Sequence, residues 1–336
     1  MPTLYLGMNR EILIVNPARP EDATPALAGK HIAALATDPA RPARVWCGTY
    51  GEGLLRSDDR GQTWHHPETA PDALLTGNVL SVAVSATDDV VYAGTEPSRL
   101  FRSDDGGDTW QKMESLQDLP SKLTWSFPPK PDTHHVRWIT PHPTTPGELF
   151  VAIEAGAIVH STDGGETWTD RTPDSPIDSH VVRIHPQAPD LVRSAAGDGC
   201  FESRDRGKTW SKTGAGLGWH YCYGLAIDSM QPDLALMSVA PSARLGHGGR
   251  GEPLAAIYRQ EGDDPWQRVF IGLPADEGTT LAMIEADPGI SRSFYAVNNR
   301  GLYFSEDGGL TWERLDVPWK DSYLDRRPAA LAIDAS

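Results

Sequence analysis

Three features of the sequence predict an all-β chain folded as a seven-bladed β-propeller of four-stranded antiparallel blades. An octet S-x-D-x-G-x-T-W occurs five times, an apolar run ending in Asp, His or Ser occurs seven times, and those runs begin 43 to 59 residues apart. Four short strands and their turns fill such an interval. Helix signals are close to absent.

The octets are SDDRGQTW at 57–64, SDDGGDTW at 103–110, STDGGETW at 161–168, SRDRGKTW at 203–210 and SEDGGLTW at 305–312. Ser and Asp side chains bond backbone N–H groups across a tight turn, Gly supplies a left-handed backbone, and Thr-Trp begins a β-prone run. Each octet therefore predicts a hairpin locked by its own side chains, with a Trp to bury. A calcium role for Asp104, Asp105 and Asp108 is disfavoured, because no D-x-D-x-D-G loop closed by a distal Glu follows.

The apolar runs (HIAALATDP, HVRWITPHP, HVVRIHP, YCYGLAIDSMQP, TLAMIEADP, PAALAID and the Ser85-ended run) predict the innermost strand of each blade. Seven residues before their ends stand His31, Asn78, His135, Asp178, Tyr221, Thr280 and Arg327, all polar. In the first repeat the strands read as 32–36, 45–48, 54–57 and 63–66. The fifth repeat has an eroded octet at Gly262–Trp266 and the seventh has none. Residues 327–336 and 1–30 together supply one more repeat: PAALAID innermost, TLYLGMN and EILIV outside it. Such pairing closes the ring and removes a free sheet edge, so residues 1–336 form one domain.

Two insertions, 113–132 and 240–253, fall where blade connections reach the face on which the inner strands begin, opposite the octets. Long loops on a rigid scaffold carry binding and catalysis. The polar ring lies on the same face. Two residues further in, the first, second, sixth and seventh repeats carry Ala33, Leu80, Ala282 and Ala329, whereas the third to fifth carry Arg137, His180 and Tyr223. With His135, Asp178 and Tyr221 these make a candidate catalytic cluster. Further ligand-binding candidates are His220, Arg244, His247 and Arg250, Trp125 and Phe127 of the first insertion, and the turn residues Glu52, Glu96, Glu154, Asp198, Asn299 and Asn9. His142 and His185 stand where other repeats have Asp, which makes them turn caps at the far end.

The chemistry of these residue types is acid–base. His180 is the expected general base, Tyr223 or Tyr221 the acid, Asp178 the orienting carboxylate and Arg137 the oxyanion binder. A metal variant gathers His31, His135 and His180, or His135 with Glu96 or Glu154, around Zn, Mn or Fe. A net charge of −16 with no Lys/Arg run disfavours nucleic acid and anionic membrane surfaces as partners. No basic leader or long apolar stretch begins the chain, so a soluble cytoplasmic protein is expected. Cys47, Cys200 and Cys222 have no metal-type spacing and read as buried free thiols.

The octets resemble the Asp-box of BNR repeats, found in sialidases, sortilin-type receptors, photosystem II assembly factors and several glycoside hydrolases. The resemblance implies a propeller with the boxes opposite the active face. A sialidase would carry three arginines for a carboxylate and an F-R-I-P segment on six blades; this chain has no F-R-I-P and counts seven repeats. Xyloglucan-type hydrolases share the Asp-box and seven blades, but a cytoplasmic chain would rarely meet a polymer. The His–Tyr–Arg set is similar in residue types to that of some propeller-fold polysaccharide lyases. The expectation is therefore an enzyme acting on a small polar or anionic molecule by hydrolysis or elimination. The rival from another class is a non-catalytic propeller that binds a protein partner.

Overall fold

A computed structural model describes residues 2–248 and 252–335. Seven antiparallel sheets succeed one another around a central channel. Their innermost strands are Ile32–Thr37, Asn78–Val84, Val136–Pro141, Ser179–His185, Tyr221–Ile227, Met283–Ala286 and Ala330–Asp334, which define blades 1 to 7. Blade 7 closes the ring as expected: Ala330–Asp334 pairs with Thr3–Gly7 in the register Leu4↔Ile333 and Leu6↔Leu331, and Ile12–Asn16 and Arg19–Ala26 follow outside. In blades 1 and 3 the fourth strand shrinks to single bridges, Arg56↔His65 and His160↔Thr169, so the strand expected at 63–66 is barely formed.

Second strands such as Leu149–Ile153 and Leu234–Ala240 are buried along their whole length. A blade is covered on both faces by its neighbours, so such strands read as continuous apolar runs rather than alternations. The neighbours come close. An ideal Cβ at Gly48 would lie 2.5 Å from the Val79 carbonyl oxygen of the next blade.

The Asp-boxes form as predicted. In the first, Ser57 Oγ donates to Asp59 Oδ1 at 2.8 Å and accepts from Gly61 N at 2.8 Å, while Thr63 N and Oγ1 donate to Asp59 at 2.8 and 2.6 Å. Asp105, Asp163, Asp205 and Asp307 repeat the pattern. Cross-strand partners Thr37↔Val45↔Ser57 place the first box level with the end of its inner strand, and therefore away from His31. His142 Nδ1 and His185 Nδ1 accept from the N–H two residues on, at 3.4 and 3.1 Å, as Asp228 Oδ1 does from Met230 N at 2.9 Å. They cap turns at the far end.

A feature absent from the sequence reading fixes the site. The inner strands of blades 1 to 5 each contain a register shift, passing over Ala33, Leu80, Arg137, His180 and the Tyr223-Gly224 pair. A β-bulge bends its strand and re-aims one side chain. Repeated around the ring, it turns that position inward. The insertions contain short helical turns, Glu114–Asp118 and Pro120–Thr124 in one and Ala243–His247 in the other. Among the described residues no helix is long and apolar enough to cross a membrane, and Cys47, Cys200 and Cys222 are buried free thiols.

Candidate functional site at the channel mouth

Where the inner strands begin, a cavity of about 260 Å³ is walled by Ile32, Ala33, Leu80 and Ala329 on one side and by His135, Arg137, Glu154 and Tyr223 on the other, with Tyr50, Phe127, His247 and Arg327 completing it. It opens outward into a second space of about 400 Å³ bordered by Asn9, Tyr50, Arg326 and Arg327. Inward it meets the channel, of about 380 Å³, at Ala33, Leu80, Arg137 and Ala329.

Tyr223 stands between two guanidinium groups. Arg137 Nη2 donates to its hydroxyl at 2.6 Å, and the Arg327 guanidinium lies 4.3 Å from its ring centroid. Arg137 also reaches Glu154 Oε2 at 3.4 Å. Arg327 differs: it donates to His247 Nδ1 at 2.9 Å and to the Pro328 carbonyl, and among the described residues no carboxylate pairs with it.

The donors and acceptors behind Tyr223 have only one consistent arrangement. Arg327 Nε can only donate, so His247 Nδ1 accepts and its proton sits on Nε2. That proton goes to the Tyr221 hydroxyl at 2.9 Å. At the other end His180 Nδ1 must donate to the Cys222 carbonyl at 2.7 Å, leaving Nε2 to accept from Tyr221 at 3.3 Å. Every group between Arg327 and Cys222 is therefore held in one tautomer. Burial, with the Arg327 charge beside it, pushes the His247 imidazole down to about 2. Burial likewise lowers His180, against the raising effect of Glu154 and Asp178.

A second line of polar groups runs along blades 2 to 4. His135 Nε2 meets Glu154 Oε2 at 2.9 Å, and His135 Nδ1 lies 3.6 Å from Glu96 Oε2. Glu96 also accepts from Asn78 at 3.3 Å and Lys130 at 3.0 Å. Burial would raise the Glu154 carboxyl, but the His135 hydrogen bond and the Arg137 charge hold it well below the usual carboxylate range. Asp178 moves the other way, raised by burial and then by Glu154 and Asp198 against the lowering pull of His180.

Several expected positions need correction. His180 is wholly buried and Tyr221 nearly so, and neither lines the cavity: they back Tyr223, whose ring centroid is 4.7 Å from that of His180. His180, expected as the general base, is thus separated from the cavity by Tyr223. Asp178 sits beside the cavity wall rather than in it. Trp125 anchors its own loop, buried with Nε1 donating to Ser121 Oγ at 3.0 Å, while Phe127 faces the cavity and packs edge-on to His135. Glu96 lies behind His135. His220 and Arg244 are exposed and border neither space, His31 borders neither, and Arg250 falls outside the described residues. The proposed ligand set His31, His135 and His180 is not brought together; the group that converges is Glu154, Asp178 and His180.

Tyr50 was missed in favour of Glu52, which pairs with Lys30 at the rim. The count that sets Glu96 opposite Asn78 sets Tyr50 opposite His31, whose carbonyl accepts from Tyr50 N at 3.0 Å. That count could have found it.

The BNR/Asp-box repeat family model matches residues 55–66, 101–112 and 201–212. A probable oligoxyloglucan-reducing end-specific xyloglucanase of Neosartorya fischeri is 25% identical over 212 residues, which are 52% of this chain and 26% of that protein. Among solved structures, the GH74 xyloglucanase from Xanthomonas campestris superposes with a TM-score of 0.69 at 15% identity, over 94% of this chain and 52% of the other. YCF48 bound to D1 peptide superposes with a TM-score of 0.60 at 18% identity, over 90% and 92%. The chain thus spans about a quarter of its curated relative and about half of the xyloglucanase chain. At these identities the structural likeness shows the fold, a seven-bladed propeller with Asp-box repeats.

Proposed function

We propose that this Asp-box propeller is a cytoplasmic enzyme acting on a small anionic molecule, by hydrolysis or elimination, in the cavity at the channel mouth. The observation that carries the proposal is Arg327: a guanidinium without a carboxylate partner among the described residues, stacked on Tyr223 and facing a cavity that Arg137 also enters. In a protein of net charge −16, such a locally positive recess draws anions. Arg137 and Arg327 hold a carboxylate or comparable oxyanion. Tyr223 moves the proton: its hydroxyl gives its proton to the leaving group, both guanidinium charges stabilise the negative oxygen that this leaves, and the oxygen then takes a proton from the ligand or a water. His180 and Tyr221 fix the Tyr223 ring from behind, and the apolar wall of Ile32, Ala33, Leu80 and Ala329 excludes water from one side of the ligand.

A polymer-cleaving glycosidase fits less well. Glycoside hydrolysis uses two carboxyl groups across the scissile bond, whereas among the described residues lining the cavity Glu154 is the single carboxylate and is already engaged by His135 and Arg137. The test is a panel of small carboxylates and sugar acids, screened by thermal shift and then followed by NMR for turnover. A binder consumed by the wild type and left intact by Tyr223→Phe supports the proposal; binders that never turn over would remove the enzymatic part.

A second reading, a protein-binding propeller, draws on a different observation. Met230, Phe270, Ile271, Ile290 and Leu310 are exposed on blades 5 and 6, away from the cavity, with Ile271 bridged to Thr311 of the sixth blade's Asp-box.

A further inference from the structure

Beside the arginine-lined cavity lies a group of opposite character. Asp178 starts blade 4 and Asp198 follows its second strand; among the described residues neither pairs with Lys or Arg, and Asp198 Oδ1 is buried with no hydrogen-bond partner. Facing Asp178 is the wholly buried His180, with Nε2 3.9 Å from Asp178 Oδ1 and 4.0 Å from Glu154 Oε1. We propose that Glu154, Asp178 and His180 form a binding site for a divalent transition-metal cation of the Mn²⁺ or Zn²⁺ class.

The donor set is one imidazole nitrogen and two carboxylate oxygens, all within 4.8 Å of one another. Such mixed N/O sets suit Mn, Fe and Zn. Bonds of about 2.0–2.3 Å place a cation inside a triangle of this size with small side-chain adjustments. The surroundings match what a metal ligand needs. His180 gives its Nδ1 proton to the Cys222 carbonyl at 2.7 Å, which fixes the tautomer that points the Nε2 lone pair at the two carboxylates. Glu154 spends Oε2 on His135 and Arg137 and keeps Oε1 for the gap. Asp178 can stand there only because residue 197 is glycine: an ideal Cβ at Gly197 would lie 1.9 Å from Asp178 Oδ2.

The competitor for the ion is the Tyr221 hydroxyl, which reaches His180 Nε2 at a long 3.3 Å. The site is open on one side, because Asp178 is 35% exposed and Glu154 lines the cavity, so water or a ligand oxygen completes the coordination. The inference does not depend on the anion proposal; metal binding and turnover are separate readouts.

The experiment uses full-length, tag-free protein stripped of metal, titrated with MnCl₂ while free Mn²⁺ is followed by EPR, and with ZnCl₂ by calorimetry. One equivalent should bind the wild type. Gly197→Ala, which displaces Asp178 without removing a ligand, and Asp178→Asn should each weaken binding by about 10-fold or more, while His220→Ala on the exposed surface leaves it unchanged. Circular dichroism checks that the variants fold. Should they not fold, Mn²⁺ broadening of the wild-type imidazole signals decides: His180 should broaden first. No saturable binding of either ion, binding indifferent to both site variants, or broadening centred on another histidine would overturn the proposal.

Discussion

Replacing Arg137 by Met tests whether the mouth is held together by buried charge. Arg137 is 9% exposed, donates to Tyr223 at 2.6 Å and faces Glu154 at 3.4 Å. Methionine keeps the apolar stem but leaves the Glu154 carboxylate with His135 as its remaining close donor. Removing one partner of a buried ion pair costs about 3–5 kcal/mol, and an unmet neutral hydroxyl adds about 1 kcal/mol. At roughly 2 °C per kcal/mol for a chain of this size, Tm should fall by about 8–12 °C. The sharper statement concerns Arg137→Met combined with Glu154→Gln. If the two groups interact directly, the double variant should lose about 1–3 kcal/mol less than the sum of the singles. Calorimetry and urea denaturation of the four proteins measure this. Strict additivity, or a loss below about 1 kcal/mol for Arg137→Met, would refute the charge-network account.

Other consequences can be checked separately. Asp105 accepts from Ser103 Oγ, Asp108 N, and Thr109 N and Oγ1 at 2.6–3.0 Å, so Asp105→Ala should cost about 1–3 kcal/mol in chemical denaturation and leave ligand binding untouched. Thr63 and Thr209 hydrogen bonds depress Asp59 and Asp205 to about 2 from the ordinary 3.8, and Asp105, Asp163 and Asp307 are lowered in the same way. The stability these carboxylates contribute should therefore be complete above pH 3.8 and be lost as pH falls towards 2, by an acid-unfolding curve. Gly48→Val should cost more than about 3 kcal/mol, because its Cβ would meet the Val79 backbone at 2.5 Å. His247 should stay neutral, with its proton on Nε2, from pH 4 to 8 in ¹⁵N NMR spectra; titration inside that range would contradict the Arg327 hydrogen bond.

The blade count and ring closure were legible because both rest on recognisable local patterns: an Asp-box is a hairpin wherever it occurs, and Ala330–Asp334 reads as an innermost strand without its blade, which Thr3–Gly7 supplies by pairing with it. The phase of the inner strands was legible too, since Arg137 and Tyr223 interrupt apolar runs and both reach the cavity. What the pattern could not carry is depth. His180 occupies the same bulged position as Arg137, yet Tyr221 and Tyr223 of the next blade cover it, a consequence of packing between residues about 40 apart in sequence. The metal-type group escaped for the same reason: its three members come from blades 3 and 4, and a spacing rule sees only ligands on one segment. Trp125 and Phe127, two residues apart in one loop, face opposite ways, and only the folded loop shows which one meets the cavity.

The most direct test of the anion site compares two neighbours. Arg326 and Arg327 both border the outer space, but only Arg327 stacks on Tyr223 and enters the inner cavity. With the best carboxylate ligand from the panel, calorimetric affinity should fall about 100-fold or more in Arg327→Met, matching the loss of a charge-assisted contact worth about 3 kcal/mol. It should change less than about threefold in Arg326→Met, as expected of an exposed charge. Equal effects of the two substitutions, or none from Arg327→Met, would contradict an anion site at the channel mouth.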